Sequence, residues 1–197
     1  AKVYESFGYN NIDINYSKKI FKDTNTADIY FEINEGDITK IKNIFFEGNK
    51  SVDSEILKSL IKSKTKSLIN ILANNNYKKF VVIDDTRKIQ NYYNNNGFKD
   101  AKIDYLIEYL ESNKVNIYFN IDEGKSYSIN AVNLIDKSNL LNSQQLSNSQ
   151  EIISNSLNKN KIYSLDTINN ISQEISDLII SEGIEFFEIE ISENINN

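Results

Sequence analysis

The chain copies itself. Tyr30-Phe31-Glu32-Ile33-Asn34-Glu35-Gly36 returns as Tyr118-Phe119-Asn120-Ile121-Asp122-Glu123-Gly124, a shift of roughly 88 residues of the kind a domain repeat gives. On that shift Ile41, Ile44 and Phe46 fall on Ile129, Val132 and Leu134, so the same apolar pattern follows the same turn. A second landmark recurs at a similar interval: Phe7-Gly8-Tyr9, Asn96-Gly97-Phe98 and Glu182-Gly183-Ile184. A glycine after a helical stretch supplies a left-handed C′ position, and the apolar residue after it opens a strand, so Gly8, Gly97 and Gly183 read as helix stops. Glu-Gly at Gly36 and Gly124 closes an alternating strand and turns the chain into the next unit.

The middle unit can be read in order. Residues 39–47 make a strand ending in the turn Glu47-Gly48-Asn49. Ser51 is expected to cap a helix that has Asp53 and Glu55 in its first turn and Ile56, Leu57, Leu60 and Ile61 as its apolar stripe. A polar connection carrying Leu68, Ile69, Ile71 and Leu72 leads to a second helix from about Lys78 to Asn96, with Val82, Ile89 and Tyr93 on one face. Then Ala101, Ile103, Tyr105, Ile107 and Tyr109 alternate with Lys102, Asp104 and Glu108, the period of a strand with one buried face; Leu106 is the exception on the polar side. After a turn at Ser112-Asn113, Val115, Ile117, Phe119 and Ile121 alternate again and complete a hairpin. The unit is β-α-α-β-β, with Ile44, Phe46, Leu57, Leu60, Ile89, Tyr93, Ile103, Ile117 and Phe119 as its expected core.

The flanks read as partial copies. Residues 1–36 hold a helix end and two strands. Residues 125–197 hold a first strand, a helix from about Ser143, a second helix capped by Ser164 with Ile168, Ile171, Ile175 and Leu178 at helical spacing, and a strand from Ile184 to Ile191. The expected division is 1–36, the C-terminal part of a module; 37–124, a complete module; and 125–197, a module lacking its last strand.

Composition narrows the functional classes. The 197 residues are 40% hydrophobic and 25% charged, enough apolar material for two or three small cores. A net charge of -6 argues against a grip on nucleic acid, which needs clustered Lys and Arg to displace counterions. Histidine and cysteine are absent, which removes the commonest general base, the commonest metal ligand and any disulfide. No apolar run approaches a bilayer span, so the segment is expected to be soluble. The acidic pairs Asp84-Asp85, Glu108 with Glu111, and Glu185 with Glu188 sit side by side on single elements, whereas acid/base chemistry needs carboxylates that converge on a cleft. Asn34-Glu35 and Asp122-Glu123 lack the ligand spacing of a calcium loop and read as turns. The sequons at Asn15, Asn49 and Asn170 arise by chance in so Asn-rich a chain. Lys62, Lys64 and Lys66 read as a solvated helix end. No enzyme activity and no cofactor are expected.

Strand, Glu-Gly turn, the run Ile41 to Asn49 with its Phe46-Glu47-Gly48-Asn49 end, two helices, Tyr92-Tyr93 to Gly97-Phe98, then a hairpin closing in Glu-Gly: this order resembles the polypeptide-transport-associated (POTRA) repeat. Consecutive copies without linkers resemble the periplasmic region of BamA-like outer-membrane assembly factors. The last copy departs, with Asp136-Lys137 in place of Gly-Asn. The resemblance implies an α+β fold of tandem modules, each a three-stranded mixed sheet with two helices on one face. It also implies a periplasmic array whose parent is anchored in the outer membrane by its own β-barrel, and which receives unfolded outer-membrane β-barrel proteins and docks accessory lipoproteins. Two-partner secretion and autotransporter assembly factors share the repeat, and a spacer without client binding is the competing reading. If the family strand order holds, the strand carrying Lys99, Ala101, Lys102, Ile103, Asp104, Tyr105, Leu106 and Ile107 lies at the sheet edge, where an extended peptide can be added.

Overall fold

The computed structural model describes residues 2–66, 74–157 and 161–195. The expected apolar residues Leu68, Ile69, Ile71 and Leu72 lie outside them. Two compact units divide the chain, Ala1–Gln90 with Lys102–Asp122 and Asn91–Ala101 with Glu123–Asn197.

The first unit opens with helix α1 (Lys2–Phe7) and the antiparallel hairpin β1 (Asp13–Phe21) and β2 (Thr26–Asn34). Register places Ile14 opposite Ile33 and Tyr16 opposite Phe31, so one face of this ribbon is apolar. It stays exposed, with Tyr16 at 73% and Phe31 at 67%. The positions that match them by the repeat, Tyr105 and Phe119, lie in a sheet whose corresponding face is covered.

That sheet is built from β3 (Lys40–Glu47), β4 (Lys102–Leu110) and β5 (Lys114–Asp122) in the order β3-β5-β4. β5 pairs parallel with β3 and antiparallel with β4. Its inward residues Val115, Ile117 and Phe119 are fully buried, as are Leu57 of α2 (Ser54–Leu60) and Val82 and Ile89 of α3 (Lys79–Asn95). Phe46 stacks on Phe119 with 5.5 Å between ring centres. The expected core therefore forms, with Ile44, Phe46 and Leu60 only half-buried. Ile41, Val52, Ile61 and Tyr77 are buried as well. Ile56, expected in the α2 stripe, is 42% exposed instead.

The start of α2 also differs from expectation. Asp53, not Ser51, is the N-cap: its backbone is extended and its Oδ1 accepts the Glu55 N–H at 2.8 Å. Asn49 donates to Val52 O and Ser54 Oγ, and those bonds hold residues 49–53 as a turn, so the first helical residue comes later. The other end of α2 is closed by Asp85 of α3. Its fully buried carboxylate accepts the backbone N–H groups of Lys62 (2.7 Å) and Ser63 (2.8 Å), with Lys88 Nζ at 3.4 Å. The carboxylate thereby satisfies two successive backbone donors of the segment that follows α2, which burial would otherwise leave unpaired at a cost. Lys64 Nζ donates to the Lys58 and Ile61 carbonyls, so this part of the basic run does solvate a helix end.

Gly48 ends β3 with φ +91°, and a Cβ there would lie 2.0 Å from the carbonyl oxygen of Ile121 on β5. The Glu-Gly-Asn turn thus needs glycine twice over, for its backbone conformation and for the passage of the neighbouring strand.

In the second unit, α4 (Ser143–Leu157) and α5 (Leu165–Ser181) pack Ile153, Ile171, Ile175 and Ile179 into a core that Val132, Leu134, Ile184, Phe187 and Ile189 partly cover. Asn142 and Gln145 form a reciprocal cap at the start of α4. Ser164 caps α5 as expected, accepting from Thr167 N. Among the described residues the strands expected in this copy do not form a ladder: neither residues 129–134 nor residues 184–191 pair as strands, although Val132, Leu134, Ile184, Phe187 and Ile189 pack on the helical core. The reason is topological. In the first unit β3 and β4 never pair with each other; both pair with β5, and no described segment of the last copy takes the place of β5.

Two of the glycine landmarks, Gly8 and Gly97, are hydrogen-bonded joints with one repeated design. In the first unit Gly8 O accepts Thr39 N–H and Thr39 O accepts Tyr77 N–H. In the second, Gly97 O accepts Tyr127 N–H and Tyr127 O accepts Tyr163 N–H. Both glycines have left-handed backbones, φ +101° and +99°. A Cβ at either would press on equivalent neighbours, Ile38 and Asn76 in one joint and Ser126 and Ile162 in the other.

Gly48→Ala combines the left-handed penalty of about 1–2 kcal/mol with a backbone overlap that neither β3 nor β5 can relieve without breaking pairs. We expect it to lower the melting temperature by at least about 10 °C; a shift of only a few degrees would show that the turn relaxes freely. Asp85→Ala strands two backbone donors and is expected to cost roughly 2–5 kcal/mol, readable by urea denaturation.

Candidate strand-addition edge

Because β5 occupies the centre of the sheet, β4 is an edge. Among the described residues no strand pairs with its outer side. Six of the eight expected residues, Lys102, Ile103, Asp104, Tyr105, Leu106 and Ile107, lie together on β4. Ile103 is buried, Tyr105 and Ile107 are half-buried on the same face, and Lys102, Asp104 and Leu106 are exposed on the other.

Lys99 and Ala101 lie before the strand. Ala101 is buried and donates its N–H to Phe98 O. Lys99 is engaged elsewhere: Nζ reaches Glu193 Oε2 at 2.8 Å and Asp100 Oδ1 at 3.6 Å, and sits over the Tyr127 ring. Tyr163 OH donates to the other Glu193 oxygen at 2.9 Å, and Tyr127 OH to Asp100 at 2.7 Å. This cluster holds the 193 segment beside the Gly97 joint within the second unit. Lys99 and Tyr163 keep the Glu193 carboxyl below its usual range, with Lys99 the larger cause. Burial, aided by Glu193, pushes the Tyr163 phenol up to about 12.

On the open face of the sheet, away from the helices, three in-register residues form a row across all three strands: Phe45 of β3, Tyr118 of β5 and Leu106 of β4. The Phe45 and Tyr118 rings stack with centres 4.8 Å apart; Phe45 is 39% exposed and Leu106 58%. Sequence reasoning missed this row, although Leu106, an apolar residue out of phase in the middle of its strand, was its signal. Beside it runs a polar rank. Asn43 donates to Asn116, Asn116 donates to Glu108 at 2.7 Å, and Tyr118 OH donates to the same Glu108 oxygen at 2.9 Å. Asn116 first, then Tyr118, hold the exposed Glu108 carboxyl below its ordinary value. Elsewhere, the buried Tyr93 hydroxyl donates to Glu123 at 3.0 Å, so Glu123 of the Glu-Gly pair serves a tyrosine. Among the described residues no three carboxylates gather as a metal site, and no helix is long and apolar enough to cross a membrane.

The acid dependence of the Lys99–Glu193 pair follows from linkage. A carboxyl whose folded pKa lies below its unfolded value of about 4.3 stabilises the fold above that value and loses the contribution as pH falls through the folded pKa. Wild type should therefore melt above Glu193→Gln near neutral pH, and the two curves should converge in acid below the ordinary carboxylate range. A difference that persists unchanged into that range would contradict the pairing.

Residues 39–124 match the POTRA family, described as a surface antigen variable number repeat. The outer membrane protein assembly factor BamA of Neorickettsia risticii (strain Illinois) is 27% identical over 116 residues, covering 58% of this chain and 16% of that protein. The chain thus spans about a sixth of that relative's length. The crystal structure of Haemophilus influenzae BamA POTRA3-5 superposes with a TM-score of 0.50 at 15% identity, covering 92% of this chain and 66% of that one; it shares the α+β fold. Residues 39–124 thus form a module that matches the POTRA family, and the likeness to BamA runs over 116 residues of the chain.

Proposed function

We propose that this chain is a periplasmic scaffold in outer-membrane protein assembly, which takes up unfolded β-barrel proteins by strand addition at β4 and does no catalysis itself. Its parent carries the membrane barrel, and accessory lipoproteins dock on the array. In this reading three modules divide it: 1–36 the C-terminal part of one, 37–124 a whole one, and 125–197 one lacking its last strand. The name of the Neorickettsia relative and the family match support the assembly role.

The observation that supports the docking mode is the outer edge of β4, which no described strand pairs with, beside a central β5 whose inward face is buried. Main-chain bonds made there give a base affinity for any extended segment, as a receptor for many clients requires, and side-chain contacts add preference to it. Lys102, Asp104 and Glu108 guard the same edge against indiscriminate pairing. Guarding and docking are compatible if the added strand meets those charges favourably.

Successive donors of a strand point to opposite edges, so of Tyr105→Pro and Leu106→Pro one removes a bond to β5 and the other a donor offered to an incoming strand. Of the two, one variant should lose stability. The other should keep most of it and bind unfolded porin-like peptides roughly five- to tenfold more weakly, the value of one or two main-chain bonds. Parental affinity in the well-folded variant would remove strand addition at β4 and leave a spacer.

A further inference from the structure

Resting on the strand-addition reading, we infer that β4 selects the strand it receives by a five-residue pattern: Lys or Arg opposite Asp104 and Glu108, a large apolar residue opposite Leu106, and apolar residues in between. Directly opposed residues in paired strands place their side chains on the same face. A residue added opposite Leu106 becomes the fourth member of the row Phe45, Tyr118, Leu106, whose outer end is 58% exposed at Leu106. Residues added opposite Asp104 and Glu108 meet two carboxylates on that same open face. Glu108 is anchored by Asn116 and Tyr118, so its charge is fixed in place rather than swinging into solvent. Residues opposite Tyr105 and Ile107 fall on the helix side, beside half-buried apolar neighbours. The occupant is thus an extended segment of another polypeptide, amphipathic in alternation and cationic at both flanks of one large apolar side chain. The pattern reads the same in either direction, so it imposes no strand polarity. Lys102 at the start of β4 and Lys42 near Glu108 limit how far the cationic preference extends along the strand.

The test uses the full chain and three short labelled peptides, centred on Lys-Val-Phe-Val-Lys, Glu-Val-Phe-Val-Glu and Lys-Val-Ser-Val-Lys, titrated by fluorescence anisotropy, with amide shifts locating the site. The first should bind about tenfold more tightly than the charge-reversed peptide, since two opposed pairs change sign, and that gap should shrink in high salt. Asp104→Lys should narrow or invert it. Leu106→Ser should erase the preference for Phe over Ser while leaving the charge preference intact. If all three peptides shift β4 amides with equal affinity, the pattern is wrong and strand addition stands. If none shifts β4 amides, strand addition fails and the pattern with it.

Discussion

The module depends on the central position of β5. A strand paired on both sides satisfies all its backbone groups within the sheet, and a strand buried on its inner face gathers apolar side chains from every covering element. Val115, Ile117 and Phe119 do this with no exposure. Two consequences follow from that one placement. β4 becomes an edge although its sequence is as apolar as that of a central strand, and β3 can reach β4 only through β5. The last copy shows the converse: residues 129–134 and 184–191 find helices to pack on but, among the described residues, no ladder to join.

Much of this was legible in the sequence because it is periodic. Alternation located β4 and β5, the 3.6-residue stripe located α3 and α5, and recurring Glu-Gly and helix-stop glycines located the joints. The edge position of β4 did not come from periodicity at all; it followed from the resemblance, and the strand order agrees with it. Features carried by single side chains at long range stayed hidden. Asp84 and Asp85 look alike in sequence, yet one lies in a surface ion pair and the other is a buried clamp on the end of α2. The Asp53 cap was obscured because Ser51 is equally good by type, and only the Asn49 bonds decide between them. The sequence reading expected a strand at 184–191 in a module lacking its last strand, but a strand is a property of a pair, and alternation reports only one member.

The candidate site divides in the same way. Its backbone edge was expected, while its side-chain character came from cross-strand register. The stacked pair Phe45 and Tyr118 extends to Leu106 only because β3, β5 and β4 align those three residues. An apolar row on an otherwise polar sheet face, ending at an unpaired edge, gives that edge a direction of growth. The anchored carboxylate of Glu108 gives it a sign.

Hydrogen exchange of the β4 backbone amides reads strand addition residue by residue. Without peptide, every second amide from Lys102 to Leu110 should be protected by β5 while the alternate ones exchange freely. With saturating unfolded porin-like peptide, those alternate amides should gain protection while the rest change little. Alternate amides that stay open under saturation, or protection that spreads over helices and sheet without a two-residue period, would contradict strand addition at β4.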